Sequence, residues 1–153
     1  MCPNGRALID LVAVARTLHG HLGLLAAVAL LHPAITLAPP RTPGGKLRPG
    51  TRWSVALATA LVTGTFAAGW ALYPGYRQVD KPRLLQGAFP IARLFESKEH
   101  LAFYAVVLAW GGCALVFAAP GARGAARACF GGAAALTLLV GILGSIVASA
   151  TAG

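Results

Sequence analysis

The sequence predicts an all-α integral membrane protein, a four-helix up-and-down transmembrane bundle with a long loop between its second and third helices. Three observations carry that prediction. Residues 17–40, 53–73, 101–122 and 128–153 contain no Asp, Glu, Lys or Arg, and a helix crosses a bilayer with roughly 20 such residues. Charged residues make up 11% of the chain and the mean hydropathy is +0.69, whereas soluble domains carry about 25% charged residues. The apolar runs also lack the strict alternation of barrel strands. With strands set aside, helices are what satisfies the backbone in lipid.

The first helix is expected over about 7–38, with Asp10 and Arg16 in its first turns. It exceeds the roughly 30 Å hydrocarbon core at about 1.5 Å per residue, so its start should project from the bilayer or lie on its surface. Pro33 removes one helical hydrogen bond and should bend the last turns. The breaker-rich string "APPRTPGGKLRPGTR" reads as a polar loop. A second helix, 53–73, has aromatic residues at both ends, as an interfacial belt requires. The longest connection follows, from "PGYR" to "FESKEH". Its apolar residues suggest a short surface helix between Pro82 and Pro90. Helices three and four are expected over 95–119 and 126–150.

A net charge of +9 would suggest nucleic acid in a soluble domain. Here the bases fall in the connections, where membrane lipids are the partners they meet, and no nucleic-acid role is implied. Cys2, Cys113 and Cys129 form no CxxC and suggest neither a disulfide framework nor a zinc site. Glycines such as Gly64, Gly69, Gly112 and Gly144 allow close helix contact, within the chain, with a membrane protein partner or in an oligomer. The features fit a multi-pass protein of a bacterial-type inner membrane. Short basic connections favour the cytoplasm, which leaves both termini and the long loop outside. No GxSxG, P-loop, GxGxxG or HExxH motif is present.

The functional candidates cluster at one end. Odd-numbered helices enter an up-and-down bundle from the same side, so His19, His21 and His100 share one half of the bilayer. Two imidazoles on facing helices can ligate a b-type haem. His21 and His100 are the expected axial pair, with His19 as the alternative. His21 is preferred because it shares a helical face with His32, three turns on. Arg16 and Lys98 would meet the propionates, and Tyr73 and Tyr104 would line the pocket edge. The third-ranked expectation is a non-haem metal-dependent membrane enzyme, its ion held by His19, His21, His100, Glu96 and Glu99. The runner-up involves no cofactor. "FESKEH" would then be a charged helix start, and the protein a membrane scaffold or accessory subunit. The leading expectation is a small cytochrome b-like electron-transfer protein, quinol-linked or part of a respiratory complex.

Overall fold

The computed structural model describes residues 3–37, 47–87, 89–119 and 121–151, with side chains from Leu11 to Ala150. The central part of the first loop (38–46), the expected end of the first helix at Ala38, Cys2 and the side chain of Asp10 lie outside the described residues. Helix α1 spans Pro3–Thr36, α2 Pro49–Gly75, α3 Lys81–Gly87, α4 Phe89–Ala118 and α5 Arg123–Thr151. The described residues form no strand. Among the described residues, four helices are long and apolar enough to cross a membrane.

In each long helix one row of buried residues advances by alternating steps of three and four. The series is Ala26, Leu30, Pro33 and Leu37 in α1, and Thr51, Val55, Ala58, Val62 and Thr65 in α2. It continues as Ala105, Ala109, Gly112 and Val116 in α4, and Ala126, Phe130, Ala133 and Thr137 in α5. A mean repeat of 3.5 residues keeps one seam turned inward along a bundle whose helices cross at roughly 20°. Helix α1 packs on α2 and α5, and α4 packs on the same two helices. Hence α1 and α4 stand diagonally across the bundle. Small residues dominate the seams, and Phe130, fully buried, fills the space left by Gly112.

The long helices begin a few residues before their expected starts, α3 falls close to the short helix expected between Pro82 and Pro90, and the connection from α2 to α3 differs most. Instead of turning at "YPGYR", α2 continues through Pro74 into a π-helical turn, Tyr76–Asp80, which runs directly into α3. Pro74 forfeits one backbone bond but does not force an exit. The backbone N–H of Tyr76 is shared between the carbonyls of Leu72 and Tyr73, and a wider turn of this kind absorbs the irregularity. A second small core holds the segment in place: Tyr76, Leu84 and Ala92 are buried, with Tyr73, Ile91 and Phe95 packed on them. Helix α4 begins at Phe89, not near 95, because Pro90 sits in its first turn, where a missing N–H costs nothing. Helix α1 likewise runs through Pro33, and the N–H of Leu37 donates to the Pro33 carbonyl at 3.0 Å.

Candidate functional site

Extending the seams by one heptad towards the α4 N-terminal end brings four residues to one level. Seven residues from Ala26, Val62, Ala105 and Thr137 lie His19, Gly69, Lys98 and Gly144. Direct contacts confirm the layer. A Cβ placed on Gly69 would sit 2.8 Å from Cε1 and 3.2 Å from Nε2 of His19. One placed on Gly144 would sit 3.9 Å from the Lys98 ammonium nitrogen. Each polar side chain therefore faces a glycine on a neighbouring helix, and the missing side chains make its room.

The Nδ1 atom of His19 is buried and has no hydrogen-bond partner. Lys98, half-buried, lies within Coulombic reach of both His19 and Glu99. Among the described residues it forms no ion pair. Its ammonium instead stands over the Phe95 ring, 4.3 Å from the centroid, a placement the negative face of the ring favours. Phe95 stacks on Tyr76 at 3.4 Å and 11°, and Tyr73 joins at 6.3 Å from Tyr76. The Tyr76 hydroxyl is a second buried polar atom without a partner. One further heptad beyond Gly69, Tyr76 occupies the next inward position of the same seam.

Two ion pairs close the rim. Arg16 of α1 bonds Asp80 at 2.8 Å, and Lys81 bonds Glu96 at 2.5 Å. They tie the π-helical turn to α1 and the start of α3 to α4. Glu99, half-buried, lies within Coulombic range of Tyr76 and Lys98.

The sequence-predicted residues divide sharply. His21 and His32 do share a face, as their spacing requires, but that face is the outward one, and both are exposed. His100 is exposed as well. Nδ1 of His21 is engaged by the Thr17 carbonyl, and Nδ1 of His100 by the Glu96 carbonyl, both at 2.8 Å. On diagonal helices and facing outward, His21 and His100 do not converge on one point within a chain. His19, the alternative, is the histidine that points inward. Tyr104 is 56% exposed and stands away from the layer, whereas Tyr73 and Lys98 belong to it. Nor do His19, His21, His100, Glu96 and Glu99 form a shell. Among the described residues no three His, Cys, Asp or Glu side chains are arranged to hold a metal ion. Glu96 is occupied by Lys81, which answers why an acid stands there. Phe95, Gly69 and Gly144 were not among the expected site residues. The signal that finds them is the 3.5-residue repeat, which passes through 19, 69, 98 and 144 but not through 21 or 100.

No protein-family model, curated protein or solved structure matches this chain.

Proposed function

We propose that this chain is a multi-pass membrane protein that holds a redox cofactor in the His19–Lys98 layer and serves electron transfer beside a membrane partner. The observation that carries the reading is the buried, unbonded Nδ1 of His19 set against Gly69. A buried polar atom left unpaired costs about 1–3 kcal/mol, and an ionisable side chain inside a span is a functional candidate by default. Haem b is the cofactor proposed, with quinol as the class of electron donor. His19 is the imidazole able to approach an iron from within, and Lys98, once it gives up its proton, would be the other nitrogen donor of the layer. Arg16 at the rim supplies a cation for propionates, and the Tyr73, Tyr76 and Phe95 rings supply a flat wall.

The test is the absorbance spectrum of the detergent-purified protein from haem-replete cells, oxidised and then dithionite-reduced. A Soret band lost in His19→Ala and kept in His21→Ala and His100→Ala is the expected result. Loss in His100→Ala alone would return the site to an outward ligand shared between chains. A featureless spectrum would sink the haem reading.

A second reading, an accessory subunit without a cofactor, draws on the outward glycines. Gly20, Gly64, Gly111 and Gly141 are exposed, and no atom lies within 4 Å of a Cβ built on any of them. Smooth positions of this kind accept a neighbouring span. Under that reading His19→Ala and Lys98→Ala leave the assembly with its partner unchanged.

A further inference from the structure

The opposite end of the bundle carries a different chemistry. A cavity of about 440 Å³ opens there between the last turns of α1 and the first turns of α2 and α5. His32, Thr36, Leu47, Arg48, Gly50, Thr51 and Arg123 line it. All four acidic residues of the chain, Asp10, Asp80, Glu96 and Glu99, belong to the other end. The cavity therefore has two guanidinium groups in its wall, at the end of the molecule that holds no acidic side chain.

The local backbone adds to the positive potential. Helices α2 and α5 both start here, and a helix N-terminus carries roughly half a positive charge. The N-cap residue of α2 is Arg48, whose side chain makes no capping hydrogen bond and, lacking an acceptor, can make none. Thr51, in the same first turn, is only 9% exposed, and its hydroxyl makes no hydrogen bond among the described residues. His32 is held in place by Ser54, with Nδ1 and Oγ 2.6 Å apart. When Ser54 donates to Nδ1, Nε2 carries the hydrogen and becomes another donor. The wall is thus rich in donors and cations.

We propose that this cavity binds the phosphate of an anionic phospholipid. Phosphate fits better than a carboxylate because its several oxygens match two planar guanidinium forks together with a hydroxyl. A lipid fits better than free phosphate because of what surrounds the opening. Leu31, Ile35, Trp53 and Leu57 are 40%, 68%, 70% and 65% exposed on the flanking turns of α1 and α2. They give acyl chains an apolar path away from the headgroup. The cavity also stands at the ends of helices long enough to span, the depth at which basic pockets meet lipid headgroups. This inference uses none of the residues of the His19–Lys98 layer and stands or falls without it.

The test uses the full chain, delipidated in a neutral detergent, with three probes: phosphatidylglycerol, phosphatidylcholine and inorganic phosphate. Bound lipid is counted by native mass spectrometry, and thermal stability is read in parallel. Phosphatidylglycerol is expected to bind one per chain and raise Tm above the phosphatidylcholine control, while inorganic phosphate does neither. Arg48→Gln with Arg123→Gln should weaken that binding by roughly tenfold or more. Arg83→Gln, which removes one charge at the far end, should not. Should the double variant fail to fold, Thr51→Val, which keeps shape and charge, is expected to lower the affinity alone. Equal responses to the two lipids would overturn the proposal, as would undiminished phosphatidylglycerol binding in the Arg48/Arg123 or Thr51 variants. A response to inorganic phosphate as strong as that to phosphatidylglycerol would reassign the cavity to free phosphate and overturn the lipid source.

Discussion

Gly111 and Gly112 are neighbours in α4, yet one added methyl group should affect them in opposite ways. A Cβ on Gly112 would meet the Phe130 ring at 2.9 Å and Cβ of Cys129 at 3.1 Å. Phe130 is fully buried, so the α4–α5 seam must open, and Gly112→Ala is expected to cost about 1–3 kcal/mol. Gly111 has no atom within 4 Å. Gly111→Ala should be neutral, or stabilising by up to about 1 kcal/mol through helix propensity. Reversible unfolding in mixed micelles measures both, and equal effects would contradict the α4–α5 packing. Gly69→Ala belongs to a third class. Its Cβ meets the far end of the His19 side chain, which can swing aside at small cost. The fold should survive while the ring leaves its place, so any cofactor spectrum that depends on His19 should vanish at unchanged Tm. Tyr76→Phe removes a buried hydroxyl that has no partner. In the empty protein this should leave stability level or raise it by about 1 kcal/mol, because an unsatisfied polar group is removed.

At the scale of elements, the segment from Tyr76 to Gly87 is held by little besides its small core and two ion pairs. Leu84 is 5% exposed and packs with Tyr76 and Ala92. Leu84→Ser should detach this segment without disturbing the seams. Hydrogen exchange is expected to accelerate across 76–87 and to stay slow across 51–65. Uniform acceleration would mean that the segment and the bundle unfold as one unit. This part of the fold was also the least legible in the sequence. The four apolar helices followed from charge-free runs, because the cost of burying charge leaves its mark directly on composition. Pro74 and Gly75, by contrast, are turn residues by local preference, and the tertiary packing of Tyr76 on Phe95 overrides them. The polar end was legible as a region, since Arg16, His19, Tyr73, Glu96, Lys98 and Glu99 all belong to it. The choice among the histidines was not. A common face for His21 and His32 says nothing about which way that face points. The heptad from Ala26 back to His19 does, because it continues the row of buried residues Ala26, Leu30, Pro33 and Leu37.

Across the whole molecule the charges are strongly segregated. The α4 N-terminal end carries all four acids and seven bases, while the other end carries six bases and no acid. Its acid-free connections are also the short ones, and short Lys- and Arg-rich connections stay in the cytoplasm. The expectation is therefore that the His19–Lys98 layer lies towards the outer side of the membrane, together with α3. The prediction can be read by single-cysteine labelling in a chain with Cys2, Cys113 and Cys129 replaced by alanine. Gln86→Cys, at an exposed position in α3, should react with an impermeant maleimide in intact cells. Thr42→Cys, in the first connection, should react only after the cells are opened. The reverse pattern would invert the orientation and turn the His19–Lys98 layer towards the cytoplasm. Labelling of both positions in intact cells would leave an odd number of crossings between neighbouring ends impossible, and the four-span topology itself would fall. With the expected pattern, the six bases of the acid-free end face the cytoplasmic leaflet, where anionic phospholipid is the counter-charge at hand.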